Sequence, residues 1–256
     1  MHRRTFTLSA LAGAAALCPL CARAQQGAAA QGRAEDIVLC ASGGGAEMDE
    51  LNRVSGTGTA ALDRALSEEL NSQSRFFNLR PAFYIYTGGL ANAFATLRTF
   101  PETPQTDGSI LYQKALLLQH LSQGALGGSV VAGVIAHEFS HIAQYHHAAL
   151  FQRLRDRHRS VKFVELHADY MAGFYMGNKF ADSPEQIDTF AQALFELGDD
   201  HFSQIGHHGT PEQRYVAMKA GFNYYRSFPG RGIEPALLEG EAFIREYFPA
   251  FDRKGN

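Results

Sequence analysis

Two histidines and a glutamate near the middle of the chain have the types and spacing that zinc-dependent hydrolysis requires. His137, Glu138 and His141 form an H-E-x-x-H pentapeptide. At about 100° per residue, an α-helix places the two histidines roughly 40° apart on one face, so both imidazoles can reach one metal ion. Glu138 lies beside that face, where its carboxylate can accept a proton from a water molecule that the metal activates.

The residues around the pentapeptide predict a mostly apolar helix. Residues 130–136 read V-V-A-G-V-I-A, and Ile142 and Ala143 follow the second histidine. Buried histidine and glutamate side chains are costly unless they share a partner. Chance would produce an H-E-x-x-H in roughly three of a hundred chains of this composition. The context therefore favours a metal site over coincidence.

A catalytic zinc ion usually takes three protein ligands, so the chain must supply a third. His147 stands ten residues after His137, the spacing of H-E-x-x-H-x-x-G-x-x-H, but Gln144 replaces the glycine that turns the chain in that pattern. A continued helix would point His147 away from the His137 face. His147 is therefore interpreted, with His146, as a polar helix end near the favourable C-terminal dipole.

A second predicted helix, around residues 164–173, offers two carboxylates and another histidine. Glu165 and Asp169 are four residues apart on one face, so one can bind metal while the other accepts a hydrogen bond from a ligating histidine. His167 points to the other side. Paired acids at this spacing more often form a solvated face, but these lie in an apolar helix with no lysine or arginine beside them. We therefore predict Glu165 as the third ligand.

Four sequence blocks, in this order, resemble those of one family of zinc proteases. The blocks are N-A-F-A at 92–95, H-E-x-x-H at 137–141, E-x-x-x-D at 165–169 and H-G-T-P-E-Q-R at 208–214, the last similar to an H-P-x-x-x-x-R segment. Over about residues 80–220 the chain thereby resembles the gluzincin family of the CAAX prenyl proteases, the HtpX-type membrane proteases and their soluble periplasmic relatives.

The resemblance implies a zinc metalloendopeptidase with one Zn²⁺ per chain, held by His137, His141 and Glu165. Glu138 would be the general base, and Asp169 would support a ligating histidine without touching the metal. The substrates it implies are unfolded or misassembled envelope proteins. The chain departs from the family in lacking the transmembrane helices of its membrane-bound members and a recognisable helical repeat domain after the catalytic part.

The block at 208–214 predicts a helix start with a functional residue just before it. Thr210 is an N-cap followed by proline and, at the capping-box position, glutamine, and the helix is expected to end near Gly221. By the resemblance, His208 would stabilise the oxyanion and Arg214 would brace the segment or contact the acidic residues behind the metal. Gly209 stands where the family usually has proline.

Residues 1–24 predict an export signal. A basic start is followed by an apolar segment over residues 6–17 and by A-R-A at 22–24, the small-x-small pattern of a cleavage site. We expect cleavage after residue 24 and a periplasmic location. The arginine pair at 3–4 also resembles a twin-arginine signal, although its neighbours fit only in part.

Composition limits the remaining function classes. Residues 25–45, rich in Ala, Gln and Gly, predict a flexible leader, and residues 46–256 are long enough for one metallopeptidase domain. Without the signal, Cys40 is the one remaining cysteine, so no intramolecular disulfide can form. With 23 basic against 26 acidic residues and no basic run, nucleic acid is not an expected partner. No later apolar run is long enough for a transmembrane segment.

The order of elements predicts an α+β fold, mainly helical: a zincin-like single domain with a small sheet beside the two metal-binding helices. The predicted strands are 83–86, 92–96 and 110–112. The predicted helices are 58–72, about 112 onward into the motif helix, 164–173, 184–197, 211–220 and 234–247. An edge strand of such a sheet can hold an extended peptide by backbone hydrogen bonds.

These observations predict a zinc metalloendopeptidase. Two alternatives share the same residues. One is a zinc amidohydrolase that acts on non-protein amides of the cell wall. The other is a chaperone-like binding protein whose metal site is occluded and mainly structural.

Overall fold

The computed structural model of the protein describes residues 38–39, 51–89, 91–156, 161–180 and 209–248. In these ranges the chain forms seven α-helices and one five-stranded sheet, which confirms the predicted mainly helical α+β class. The strands are β1 (Val38–Leu39), β2 (Asn52–Val54), β3 (Ala82–Thr87), β4 (Ala93–Thr96) and β5 (Ser109–Gln113). The helices are α1 (Ala60–Phe77), α2 (Lys114–Leu121), α3 (Gly127–His146), α4 (Ala148–Asp156), α5 (Lys162–Lys179), α6 (Pro211–Ser227) and α7 (Ile233–Tyr247).

Several sequence predictions lie outside the described residues. They are the export signal at 1–24, most of the leader at 25–45, Cys40, the helix at 184–197 and His208. Within the described ranges, no helix combines the length and the hydropathy needed to cross a lipid bilayer.

The sheet has the strand order β1-β4-β5-β3-β2, in which β3 and β5 are parallel and the other neighbours are antiparallel. The three strands predicted from sequence are the three central ones. β1 and β2 occupy the edges and are too short, at two and three residues, to show an alternating pattern. Val38 and Leu39 lie within the predicted leader, and they pair with Thr96 and Ala95 of β4.

Both faces of the central strands are covered, which explains why they read as apolar runs. Ala93 and Ala95 of β4 belong to the main core together with residues of α3, whereas Phe94 packs with Tyr86 and Leu111 in a second cluster on the opposite face. All four residues of β4 are buried. Strands buried on both faces lose the alternation of apolar and polar residues. β4 therefore lies directly beside the helix that carries the H-E-x-x-H motif.

Helices α5 and α6 cross at very short distance because each has a glycine at the contact. A Cβ atom on Gly173 would lie 1.9 Å from the carbonyl oxygen of Met218, and one on Gly221 would lie 1.8 Å from that of Tyr170. A larger residue at either position would force the helices apart. The prediction that α6 ends near Gly221 is therefore wrong: the helix continues to Ser227, and the glycine serves the packing.

Helix α6 begins where the sequence predicts. The Thr210 hydroxyl accepts a hydrogen bond from the Gln213 backbone N–H at 3.2 Å, and the Gln213 side-chain oxygen accepts one from the Thr210 N–H at 2.9 Å. Gly209, just before this capping box, has a φ of +90°, whereas a proline ring holds φ near about −65°. The glycine that departs from the family pattern thus has a backbone conformation that proline cannot adopt.

Candidate metal centre

Three buried side chains from two helices converge at one point. His137 and His141 lie one turn apart on α3, and Glu165 lies in the first turn of α5, which packs against α3. The Nε2 atoms of the two histidines are 3.0 Å apart, and those of His137 and His141 lie 3.3 and 3.6 Å from the two Glu165 carboxylate oxygens. The three side chains are at most 6% exposed. This group could hold a metal ion.

The spacing of the three ligand atoms suits a small cation. A tetrahedral site with bonds of about 2.0–2.1 Å has ligand-to-ligand edges of about 3.3–3.4 Å, close to the three distances observed. Two imidazoles and one carboxylate favour a first-row transition metal, because magnesium and calcium prefer all-oxygen sites. Helix packing therefore already holds the donor atoms at the separation that such an ion needs.

The two histidines considered as alternative third ligands lie elsewhere. His147 follows the end of α3, and its Nε2 lies 3.2 Å from a carboxylate oxygen of the exposed Glu234. His167 points away from the triad, and its Nε2 contacts the backbone carbonyl of Leu237 on α7 at 3.0 Å. Burial lowers the pKa of His167 to about 4, so this imidazole is neutral near pH 7.

Asp169 and Arg214 support His137 on the side away from the other ligands. The Asp169 Oδ1 atom lies 2.9 Å from His137 Nδ1, and Asp169 is fully buried one turn after Glu165. Arg214 of α6 donates from Nε to Asp169 Oδ2 at 2.7 Å and from Nη2 to Oδ1 at 2.8 Å. The close crossing of α5 and α6 makes this two-pronged contact possible.

These charges shift the acid–base behaviour of the group. Burial alone lowers the pKa of His137, but the charge of Asp169 and the hydrogen bonds that His137 donates to Asp169 and Glu165 outweigh burial and raise that pKa to about 10. Burial raises the pKa of Asp169, yet Arg214 and His137 outweigh it and leave that pKa below its usual value. A metal ion binding here would therefore compete with a proton on His137.

Glu138 lies next to the triad as a buried carboxylate. It is 2% exposed, and its Oε2 atom has no hydrogen-bonding partner among the residues that the structure describes. Burial raises its pKa, while the nearby His137 and His141 act in the opposite direction. Such an atom is costly to bury unless it serves a bound group. Glu138 is therefore placed to interact with a small molecule at the triad.

One contact of the site is absent from the sequence predictions. In the sequence, Gln144 stands where the H-E-x-x-H-x-x-G-x-x-H pattern has glycine. In the structure, its Oε1 atom lies 2.9 Å from His141 Nδ1. The available signal was the spacing: a residue three positions after a ligand on the same helix lies beside it.

Comparison of the chain with protein-family models, with curated proteins and with solved structures gave no match. The resemblance to the gluzincins therefore rests on the four sequence blocks. In the structure, the H-E-x-x-H block, the E-x-x-x-D block and Arg214 of the fourth block meet at one site, and the N-A-F-A block ends in β4 beside α3. His208, from the fourth block, lies outside the described residues.

Proposed function

We propose that the chain is a zinc-dependent metalloendopeptidase of the cell envelope. The observation that carries this proposal is the Glu138 carboxylate, which is buried beside the triad. Its Oε2 atom accepts no hydrogen bond from any residue that the structure describes. A purely structural metal site has no use for such a group, whereas hydrolysis needs a base that reaches the attacking water. Export to the periplasm and action on unfolded or misassembled envelope proteins are the expectations that the sequence adds.

In this proposal His137, His141 and Glu165 hold the ion. When bound, zinc supplies a Lewis acid that polarises the substrate carbonyl and makes water more acidic. Glu138 takes a proton from the attacking water as the new C–O bond forms and passes it to the amine nitrogen as the C–N bond breaks. His208 stays a predicted donor to the oxyanion.

Strand β4 is the proposed binding site for an extended substrate peptide, because it lies beside α3. Its outer side is paired with β1 through Thr96 and Ala95. A peptide that adds to this side must take the place of β1 or extend the pairing toward Ala93. We therefore expect β1 and the substrate to compete for β4.

The burial of the triad is the specific observation that favours the second candidate, a binding protein with an occluded, structural metal. His137 is the most exposed of the triad residues at 5%, and His141 is fully buried. An enzyme must open a path to these atoms, whereas a structural site need not. The two candidates differ in what they require of Glu138.

The test compares three purified proteins, each expressed without the predicted signal: the parent, Glu138→Gln and Glu165→Gln. We expect the parent to contain about one zinc per chain and to hydrolyse casein. Glu138→Gln should keep its zinc but lose at least about two orders of magnitude in activity, because the base is gone. Glu165→Gln should lose zinc affinity, because a neutral amide replaces a carboxylate ligand.

Glu68→Gln is the matched control, because it makes the same chemical change at an exposed position of α1. It should retain parental zinc and activity. A parent chain without zinc, or a Glu138→Gln protein with undiminished hydrolysis, would refute the proposal. Hydrolysis of peptidoglycan fragments in place of casein would identify the amidohydrolase instead, and a zinc protein inactive on both substrates would favour the binding protein.

A further inference from the structure

A continuous chain of hydrogen bonds runs from His141 to helix α7. Gln144 Oε1 lies 2.9 Å from His141 Nδ1, and Gln144 Nε2 lies 2.9 Å from His167 Nδ1. His167 Nε2 lies 3.0 Å from the carbonyl oxygen of Leu237 in α7. The side chains of His141, Gln144 and His167 belong to residues that are fully buried. Bulk solvent therefore does not compete for these contacts.

A backbone carbonyl fixes which way the Gln144 amide points. The Nε2 atom of Gln144 lies 2.8 Å from the oxygen of Val164, and a carbonyl oxygen can only accept. The atom facing Val164 must therefore be the amide nitrogen, which leaves the amide oxygen facing His141. His141 Nδ1 must then carry a proton and donate it to Gln144. This tautomer leaves the lone pair of His141 Nε2 directed at the triad.

The same logic assigns the second histidine. Gln144 Nε2 donates to Val164 and has one more N–H, which points at His167 Nδ1. That ring atom must accept, so His167 carries its proton on Nε2 and donates it to Leu237. Every donor in the chain has an acceptor, which is the condition under which a buried polar network holds one conformation.

We propose that Gln144 is the positioning residue of His141: it selects the tautomer that presents Nε2 to the metal, and His167 and Val164 hold the amide in place. This proposal rests on the proposed function, because it requires that His141 is a metal ligand. The two histidines of the motif are thus supported differently. His137 contacts a carboxylate, Asp169, and His141 contacts a neutral amide. A second carboxylate behind the ligands would add another buried negative charge, which the amide avoids.

The competing explanation is that Gln144 only joins α3, α5 and α7 as part of the core. Gln73 provides the comparison, because it is also a fully buried glutamine whose Nε2 donates to a backbone carbonyl, that of Ala132 on α3, at 2.8 Å. Its Nε2 also donates to the Glu69 carboxylate on its own helix at 2.9 Å, and Glu69 is not one of the proposed metal ligands. Replacing either glutamine removes a buried amide from the surface of α3. Only one replacement removes the partner of a ligand.

The experiment measures the zinc dissociation constant by competition with a chelator, and the thermal unfolding of the metal-free protein, for the parent, Gln144→Leu, Gln144→Glu and Gln73→Leu. Gln144→Leu should weaken zinc binding by about 10- to 100-fold, the range for partners of metal ligands. Gln73→Leu should destabilise the metal-free protein and leave the dissociation constant at the parental value. Gln144→Glu should retain more affinity than Gln144→Leu, because a protonated carboxyl group still accepts from His141 Nδ1 and donates to the Val164 carbonyl oxygen.

Zinc binding by Gln144→Leu at parental strength would overturn the proposal, and so would an equal loss in Gln73→Leu. If Gln144→Leu does not fold, imidazole ¹⁵N spectra of the parent decide the matter. They should show the proton of His141 on Nδ1 and that of His167 on Nε2, and a proton of metal-free His141 on Nε2 alone would overturn the assignment. A parent chain that binds no zinc would refute the proposed function separately, because the tautomers are measured in the metal-free protein as well.

Discussion

The crossing of α5 and α6 can be tested by adding one methyl group at Gly221. In Gly221→Ala the new Cβ would lie 1.8 Å from the carbonyl oxygen of Tyr170 and 3.0 Å from the backbone nitrogen of Phe174. Both neighbours are backbone atoms of a helix, so neither can rotate away as a side chain does. The helices themselves must move.

The size of the effect follows from that overlap. Relief of the contact to about 3.0 Å requires a shift of about 1.2 Å, which is 3.0 minus 1.8. Overpacking of a core costs about 1–3 kcal/mol, and the better helix propensity of alanine returns at most about 1 kcal/mol. Because a whole helix must shift, we expect a net loss of about 2 kcal/mol in the free energy of unfolding. For a domain of this size that loss lowers Tm by about 4–8 °C.

The assay is thermal and denaturant unfolding of the metal-free protein, with Gly128→Ala as the control. Gly128 lies in the first turn of α3, and a Cβ there would meet no atom within 4 Å. That substitution should leave stability unchanged or raise it by up to about 1 kcal/mol. A Gly221→Ala protein as stable as the parent would refute the close crossing, and equal destabilisation by Gly128→Ala would show that the effect is not specific to it.

Three further outcomes are expected. Asp169→Asn should weaken zinc binding by about 10- to 100-fold in chelator competition, because it removes the charge behind His137. Burial lowers the pKa of His120 to about 4, so the contribution of neutral His120 to the free energy of unfolding should be fully present above pH 6.5 and fall by up to about 3 kcal/mol toward pH 4. His120→Gln should reduce this pH dependence of the free energy of unfolding. The double change Val38→Pro and Leu39→Pro should raise kcat/KM for peptides if β1 competes with substrate, and an unchanged or lower value would count against that competition.

Those parts of the site that lie on one helix could be predicted from sequence. The spacing of His137 and His141 on α3 fixes their common face, and the spacing of Glu165 and Asp169 on α5 does the same. A regular helix converts residue number into direction, so these pairs needed no tertiary information. The fold class was predictable for the same reason, because long apolar periodic segments identify their own secondary structure.

Features that depend on contacts between elements were not predictable in this way. Gly221 has the type and place of a helix terminator, and only the carbonyl of Tyr170 against it reveals a packing role. The pairing of β1 with β4 joins segments more than fifty residues apart and leaves no periodic pattern in two residues. For Gln144 the position on α3 was known, but the partner that orients its amide, Val164, belongs to another helix.

The geometry of the site therefore depends on two kinds of constraint that act at different distances. Helix periodicity places Glu165 and Asp169 one turn apart, so that one reaches the triad and the other reaches the far nitrogen of His137. The glycine contact between α5 and α6 then brings Arg214 within hydrogen-bonding distance of Asp169. A substitution of Glu165 removes a ligand outright. A substitution that separates α5 from α6 leaves all three ligands in the chain and disturbs only the contact of Arg214 with Asp169 behind His137. Substitutions at Glu165 and Gly221 should accordingly differ in kind: the first reduces zinc affinity in a folded protein, and the second reduces stability before affinity.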